Sequence, residues 1–353
     1  MNLKALILGA GVGLILSGPA FAIPDEDEGS IGGGGVEYVK VCDLYGAGFF
    51  YVPGTDVCLK IGGYLRFDAQ VQGDHAGSGG RWDFQTGYEL KFDSRRATEF
   101  GTLRSFVEIG GDTSDHLPGT DSISGFDLLK AYVQFADFTI GAKDSLMDPC
   151  DGYTLFDDYI SDLVTDQIQY TFRTNPIFRA SIAVEDPRAR WGSSLPLHYS
   201  VPDIVGRLSI TQSWGRFNLS AGIGEVETGS TWGVKAEATL NFDALSKGDR
   251  LRFVVGYAQD GGDWIGGSGI AKGDWSSALV SGKFYVADNL YAAATASAIN
   301  GPGTAYDKWS VSGGLHWQPV KELTFGGDIG YGNDRGLSLL FEAERKWGGS
   351  RRE

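Results

Sequence analysis

Between positions 144 and 166 stand seven aspartates, Asp144, Asp148, Asp151, Asp157, Asp158, Asp162 and Asp166, with no lysine or arginine among them. Carboxylates crowded in this way repel one another and attract cations, and where they line a passage they sort ions by sign. The same segment carries Tyr153, Leu155, Phe156, Tyr159, Ile160 and Leu163. A loop left in water has little use for six large apolar or aromatic groups, so residues 145–165 read as a loop folded inward. The plainer alternative is an acidic surface loop in solvent. Opposite charge stands at Lys60, Arg66, Lys91, Arg104 and Lys130. A basic wall facing an acidic loop would set a transverse field across a constriction, and the excess of acid predicts a mild preference for cations.

Other chemistry is not signalled. His-Glu-x-x-His, Gly-x-Ser-x-Gly and Cys-x-x-Cys are absent, and His75, His116, His198 and His316 lie far apart in sequence. No catalytic residue, metal site or cofactor is expected, and the chain does not read as an enzyme. Of the three cysteines, Cys42 and Cys58 enclose 15 residues, and a disulfide between them fits an exported chain. That leaves Cys150 as a free thiol in the acidic loop; pairing that involves Cys150 is the rival arrangement.

Such residues need a scaffold, and the composition narrows it. Thirty basic against 45 acidic residues give a formal charge of −15, which argues against nucleic acid as a partner. Glycine is 53 of 353, roughly twice ordinary usage, without the proline or cysteine of collagen-like or disulfide-dense chains. Lys4, the apolar or glycine run from Ala5 to Leu16 and Ala20-Phe21-Ala22 make residues 1–22 an expected signal peptide. Residues 23–35 are acidic and glycine-rich, and residues 23–56 are read as an amino-terminal segment ahead of the first long strand.

Downstream the recurring pattern is alternation over about ten residues, the period of a strand with two unlike faces. In the run from Arg81 to Asp93, Trp82, Phe84, Tyr88, Leu90 and Phe92 share one face, while Asp83, Gln85, Glu89 and Lys91 share the other. Leu59 to Val71 and Trp232 to Phe242 repeat it, and aromatics mark the ends of the apolar faces, as they do at the two water interfaces of a bilayer. The pattern predicts sixteen strands at 57–71, 81–93, 98–110, 126–136, 137–144, 166–174, 177–186, 203–214, 215–227, 231–243, 249–260, 274–287, 289–299, 307–318, 321–332 and 336–347. Short and long connections alternate along nearly the whole chain. The expected fold is therefore all-β, a 16-stranded antiparallel transmembrane barrel over residues 57–347, closed because hydrocarbon offers no partner for an unpaired strand edge. At this strand number side chains do not fill the bore, so a water channel is expected. The five basic residues named above fall on the water-facing phase.

The stretch Val39-Lys40-Val41-Cys42-Asp43-Leu44-Tyr45-Gly46-Ala47-Gly48-Phe49-Phe50-Tyr51-Val52-Pro53-Gly54, continued by Cys58-Leu59-Lys60-Ile61-Gly62-Gly63-Tyr64-Leu65-Arg66, resembles the start of the mature porins of alphaproteobacteria, the Brucella and Rhizobium type. The resemblance implies a bacterial outer-membrane barrel set in lipid, a homotrimer, and passive diffusion of ions and small hydrophilic solutes. It also implies that the third loop forms the constriction, carried onto Asp144 through Asp166 by position. Porins of this kind usually end on an aromatic read by the barrel-assembly machinery; Trp347 takes that place here, with residues 348–353 following as a tail. The function expected is that of a general diffusion porin. A substrate-selective porin, or a barrel with an adhesive or structural role, are the alternatives.

Overall fold

A computed structural model describes residues 40–73, 80–113, 126–148, 151–156, 159–160, 162–192, 195, 201–243, 246–267 and 270–348. The signal segment, the acidic lead-in, Asp157, Asp158, Cys150 and the tail beyond Gly348 lie outside the described residues. After a two-residue strand, β1 (Phe50–Tyr51), come sixteen long ones: β2 (Cys58–Gln72), β3 (Arg81–Thr98), β4 (Gly101–Asp112), β5 (Asp127–Phe135), β6 (Phe138–Asp144), β7 (Val164–Arg173), β8 (Phe178–Glu185), β9 (Asp203–Gln212), β10 (Gly215–Val226), β11 (Gly229–Asn241), β12 (Arg250–Gln259), β13 (Asp274–Ala287), β14 (Leu290–Asn300), β15 (Lys308–Val320), β16 (Leu323–Gly332) and β17 (Gly336–Trp347). Each pairs antiparallel with the next, and β17 returns to β2 in register from Ser338↔Gln72 to Trp347↔Gly63. Closure leaves no long strand with a bare edge.

All sixteen stretches read from alternation are strands. The largest change is in β3, which runs on to Thr98 rather than ending near Asp93, with Arg95 and Arg104 as register partners. The phase is also as expected. Trp82 and Phe84 are 71% and 60% exposed, and Leu65, Phe138, Ile168, Phe172 and Leu339 continue the same outward apolar band. Each such side chain withdrawn from water into an apolar phase gains about 1.5–3 kcal/mol. Inward positions on the same strands hold Glu89, Asp93, Glu108, Gln167, Gln169, Lys235 and Glu237, all buried. No helix among the described residues is long and apolar enough to cross a membrane. Crossing falls to the strands.

One end of the barrel carries tight turns, apart from the eight-residue connection 242–249 between β11 and β12. At the β5–β6 turn Ala136 and Asp137 both have positive φ, 46° and 70°, the twist that suits a two-residue hairpin. Gly215 opens β10 at φ +144°, where an added Cβ would lie 1.9 Å from the Thr239 carbonyl oxygen, so no other residue fits there. The opposite end carries the long connections, with two exceptions: β10–β11 and β16–β17 also turn tightly there. At the tight-turn end β1 pairs with the start of β2. Cys42 and Cys58 form a disulfide across 6.0 Å between Cα atoms, both buried with Phe49. Closing a loop of this size contributes about 3 kcal/mol in the chain-entropy account.

Candidate functional site

The inner face of the barrel is polar over most of its circumference, but at the long-loop end of β8–β14 it turns apolar. Ala183, Val205, Val226, Ala258 and Ile299 point inward there and are buried against loop side chains. Three connections supply those side chains: Leu146, Met147 and Tyr159 from residues 145–163, Trp191 from the helix α1 (Pro187–Trp191), and Trp264 and Ile265 from residues 260–273. Inward glycines on the strands are the pits that receive them. A Cβ on Gly222 or Gly233 would stand 2.4 or 2.5 Å from Trp264, and one on Gly330 would stand 2.9 Å from Phe156. Part of the bore is thereby filled by a dry core, and passage is confined to the remainder.

The loop between β6 and β7 crosses the interior and is tied to the far wall strand by strand. Its root is held by Glu185 on β8, whose carboxylate accepts from Ser145 Oγ at 2.8 Å and from Leu146 N–H at 3.0 Å. Further along, Tyr153 N–H donates to Ser281 Oγ (2.8 Å), Thr154 Oγ1 to Thr295 Oγ1 (2.9 Å) and Leu155 N–H to an Asp328 carboxylate oxygen (2.6 Å). Tyr159 donates its hydroxyl to Asp334. Burial pushes that hydroxyl up to about 12, with the Asp334 bond acting in the same direction, so it stays a donor.

The seven aspartates named from the sequence have different positions. Asp151 and Asp162 are exposed within the lumen and line both of its cavities. Asp148 is half-buried. Burial pushes its carboxyl well above the usual carboxylate range; repulsion from Asp162, Asp144 and Asp151 adds to this and Lys235 opposes it. Asp144 ends β6 and pairs with Lys130 Nζ at 2.7 Å. Asp166 departs from expectation: it belongs to β7 and is exposed on the same phase as Ile168, Tyr170 and Phe172, so it faces outward. Near a strand end a carboxylate can face outward without entering hydrocarbon, and strand alternation decides its side.

The raised Asp148 value has a testable sign. A carboxyl that titrates higher folded than unfolded adds stability that is complete below the ordinary value near pH 4 and is lost as pH rises through the folded value. Asp148→Asn should therefore match the wild type in urea unfolding below about pH 4 and exceed it at pH 7. Lower stability of the variant at pH 7 would contradict this assignment.

The five basic residues differ in what they face. All have the inward phase, but four are matched by carboxylates. Arg66 pairs with Asp68 (2.8 Å), Lys91 with Glu89 (2.7 Å) and Glu108 (3.4 Å), Arg104 with Asp93 (2.9 Å), and Lys130 with Asp144. Lys60 lies 5.7 Å over the Phe49 ring at the tight-turn end. Arg207 and Arg252 also meet the loop, donating to the carbonyl oxygens of Asp148 and Asp151. Lys235 acts on Asp148 from β11. Their inward phase was readable from strand alternation. Which arc of wall the loop would cross was not, because that is set by closure.

Two spaces lined by described residues share part of the loop as a wall. One, of about 400 Å³, lies between the loop and the wall of β2, β3 and β17; Asp68, Asp83, Asp151, Asp162 and Glu342 line it against Arg66 and Arg335. The other is a chamber of about 1600 Å³ reaching to the tight-turn end. Among the described residues no cluster of His, Cys, Asp and Glu is arranged to hold a metal ion.

A family profile described as the porin subfamily matches residues 34–343. The chain is 31% identical over 294 residues to porin Omp2b of Brucella melitensis, covering 75% of this chain and 79% of that protein. In fold it is similar to the outer membrane channel DcaP of Acinetobacter baumannii, with TM-score 0.71, 14% identity, and 84% of this chain and 99% of that one covered. It is also similar to OmpT of Vibrio cholerae in a trimer form, with TM-score 0.55, 13% identity, and 83% and 100% covered.

Proposed function

The chain belongs to the porin subfamily and forms an outer-membrane channel, and from that premise we propose a general diffusion porin with a mild cation preference. The observation that carries the preference is the balance at the smaller opening, five carboxylates against two guanidinium groups. A ring of like charge beside a narrow aqueous path raises the local concentration of counter-ions and excludes co-ions. The loop carboxylates Asp151 and Asp162 supply one side of that opening, and Arg66 and Arg335 the only positive charge among the described residues lining it. The solutes are ions and small hydrophilic molecules, passed without chemical change.

The outward apolar band is proposed to face outer-membrane lipid, with the tight-turn end in the periplasm. Three copies are proposed to associate, as the sequence resemblance implies and as the OmpT trimer form illustrates for a barrel of similar fold. Trp347, the last residue of β17, is the aromatic offered to the barrel-assembly machinery. Reconstitution into planar bilayers tests the central reading. Large ohmic steps, sugars excluded by size, and a reversal potential of cation sign under a KCl gradient are expected; silence or saturable flux of one sugar would oppose it.

A further inference from the structure

The larger chamber has the opposite charge balance from the smaller space. Eight lysines and arginines line it against five carboxylates. Several of these cations are already engaged: Arg216 and Arg252 approach Glu237 at 3.4 and 4.0 Å, and Lys346 pairs with Glu344 at 2.6 Å. Arg250 and Lys283 are different. They are direct register partners on β12 and β13, both lining the chamber, and neither makes an ion pair among the described residues. The charges that act on Lys283 are Arg250 and Lys346, both of its own sign. Two cations side by side without a carboxylate repel one another, and a visiting anion relieves that repulsion.

Their surroundings are built rather than accidental. Lys283 Nζ sits 3.8 Å from the centre of the Tyr291 ring and 5.0 Å from that of Tyr285. Tyr291 lies parallel to His316, 4.6 Å away with 2° between the ring planes. Tyr285 is fixed in turn by its N–H, which donates to Asp249 at 2.7 Å. The ring faces hold the ammonium in place without accepting its three N–H donors as a carboxylate would.

We propose that Arg250 and Lys283, over the Tyr291 ring, form a subsite for the oxyanion of a small solute, a phosphate or carboxylate group, within the larger chamber. The site rests on the channel reading above and adds to it a second zone in series. A cation-favouring opening leads to a chamber that detains anions. The two zones make the channel asymmetric. Arg250 opens β12 at the tight-turn end, so an anion added there meets the pair first, whereas one added at the other end must first pass the loop carboxylates Asp151 and Asp162, which line both spaces.

The test is single-channel recording in KCl, with inorganic phosphate, glucose 6-phosphate or glucose added to one side and then the other. The proposal expects transient blocking by both phosphates, several times stronger from one side, and none by glucose. Tighter block by glucose 6-phosphate than by inorganic phosphate would show that the tyrosine faces add to recognition; equal block would assign recognition to the oxyanion alone. In the double variant K283M/R250Q the block should weaken about tenfold or more, while K283R retains it. Open-channel conductance in KCl and resistance of the barrel to heating in detergent report that the variant is folded. Block that is equal from both sides, or unchanged in the double variant, overturns the subsite while leaving the channel intact. Absence of conductance in the wild type would instead remove the channel reading and the subsite with it.

Discussion

Replacing Arg190 by methionine should destabilise the barrel by about 3–5 kcal/mol, the usual result of removing one partner from a buried ion pair. Arg190 leaves α1 and reaches two strands, with Nη2 2.6 Å from Glu185 and Nε 3.0 Å from Asp203. All three side chains are at most 1% exposed. The guanidinium lies 4.0 Å over the Trp264 ring, and Asp203 also accepts from Trp191 Nε1. Without the cation, two carboxylates remain in a dry pocket with no counter-charge. Glu185 is also the anchor for Ser145 and Leu146 at the root of the inward loop, so the same change should loosen that loop and give larger or noisier single-channel currents. Urea unfolding followed by tryptophan fluorescence, with single-channel recording, measures both. The triple variant R190M/E185L/D203L, which removes all three charges together, should recover stability but not the loop anchor. Wild-type stability in Arg190→Met would show that the triad is not what holds these connections inside.

The second large effect is on selectivity. Asp151→Asn with Asp162→Asn should lower the cation-to-anion permeability ratio about five-fold, the equivalent of ~1 kcal/mol for unit charges 4 Å apart in water. The two carboxylates are two of five at the smaller opening, where, among the described residues, Arg66 and Arg335 oppose them. Salt above about 0.5 M should shrink the difference, because the screening length then falls well below 10 Å. Asp166→Asn is the matched control, since it removes one charge of the same loop region from the outward face. Reversal potentials under a KCl gradient read all three proteins. An equal shift in Asp166→Asn would mean that overall charge, not the opening, sets the preference.

The elements that carry this behaviour were legible to unequal degrees. Strand positions were readable because lipid outside and water inside impose opposite demands on successive residues. Trp82, Phe84 and Phe92 therefore alternate with Asp83, Glu89 and Lys91 whatever the rest of the chain does. The Cys42–Cys58 bridge was readable as one of two arrangements. Asp166 was misplaced because its charge was counted with those of the loop, although it opens the strand read at 166–174 and shares the outward phase of Ile168, Tyr170 and Phe172.

What the amino-acid order determined by itself is local: which residues face lipid, where the chain turns, how many strands must close, and that one long acidic connection is too apolar to lie in water. Tertiary structure decided what that connection meets. Closure sets β8–β14 beneath it, so Arg207, Lys235 and Arg252 meet the loop there, in addition to Lys130 at Asp144 and Arg66 across from Asp151 and Asp162. It also explains the glycines at Gly222, Gly233 and Gly330, which leave room for Trp264 and Phe156 inside the bore. The physical reason is range. Alternation is a property of neighbours two residues apart, whereas Arg190 with Trp264 or Arg250 with Lys283 joins residues that come together only when the sheet has curved and sealed.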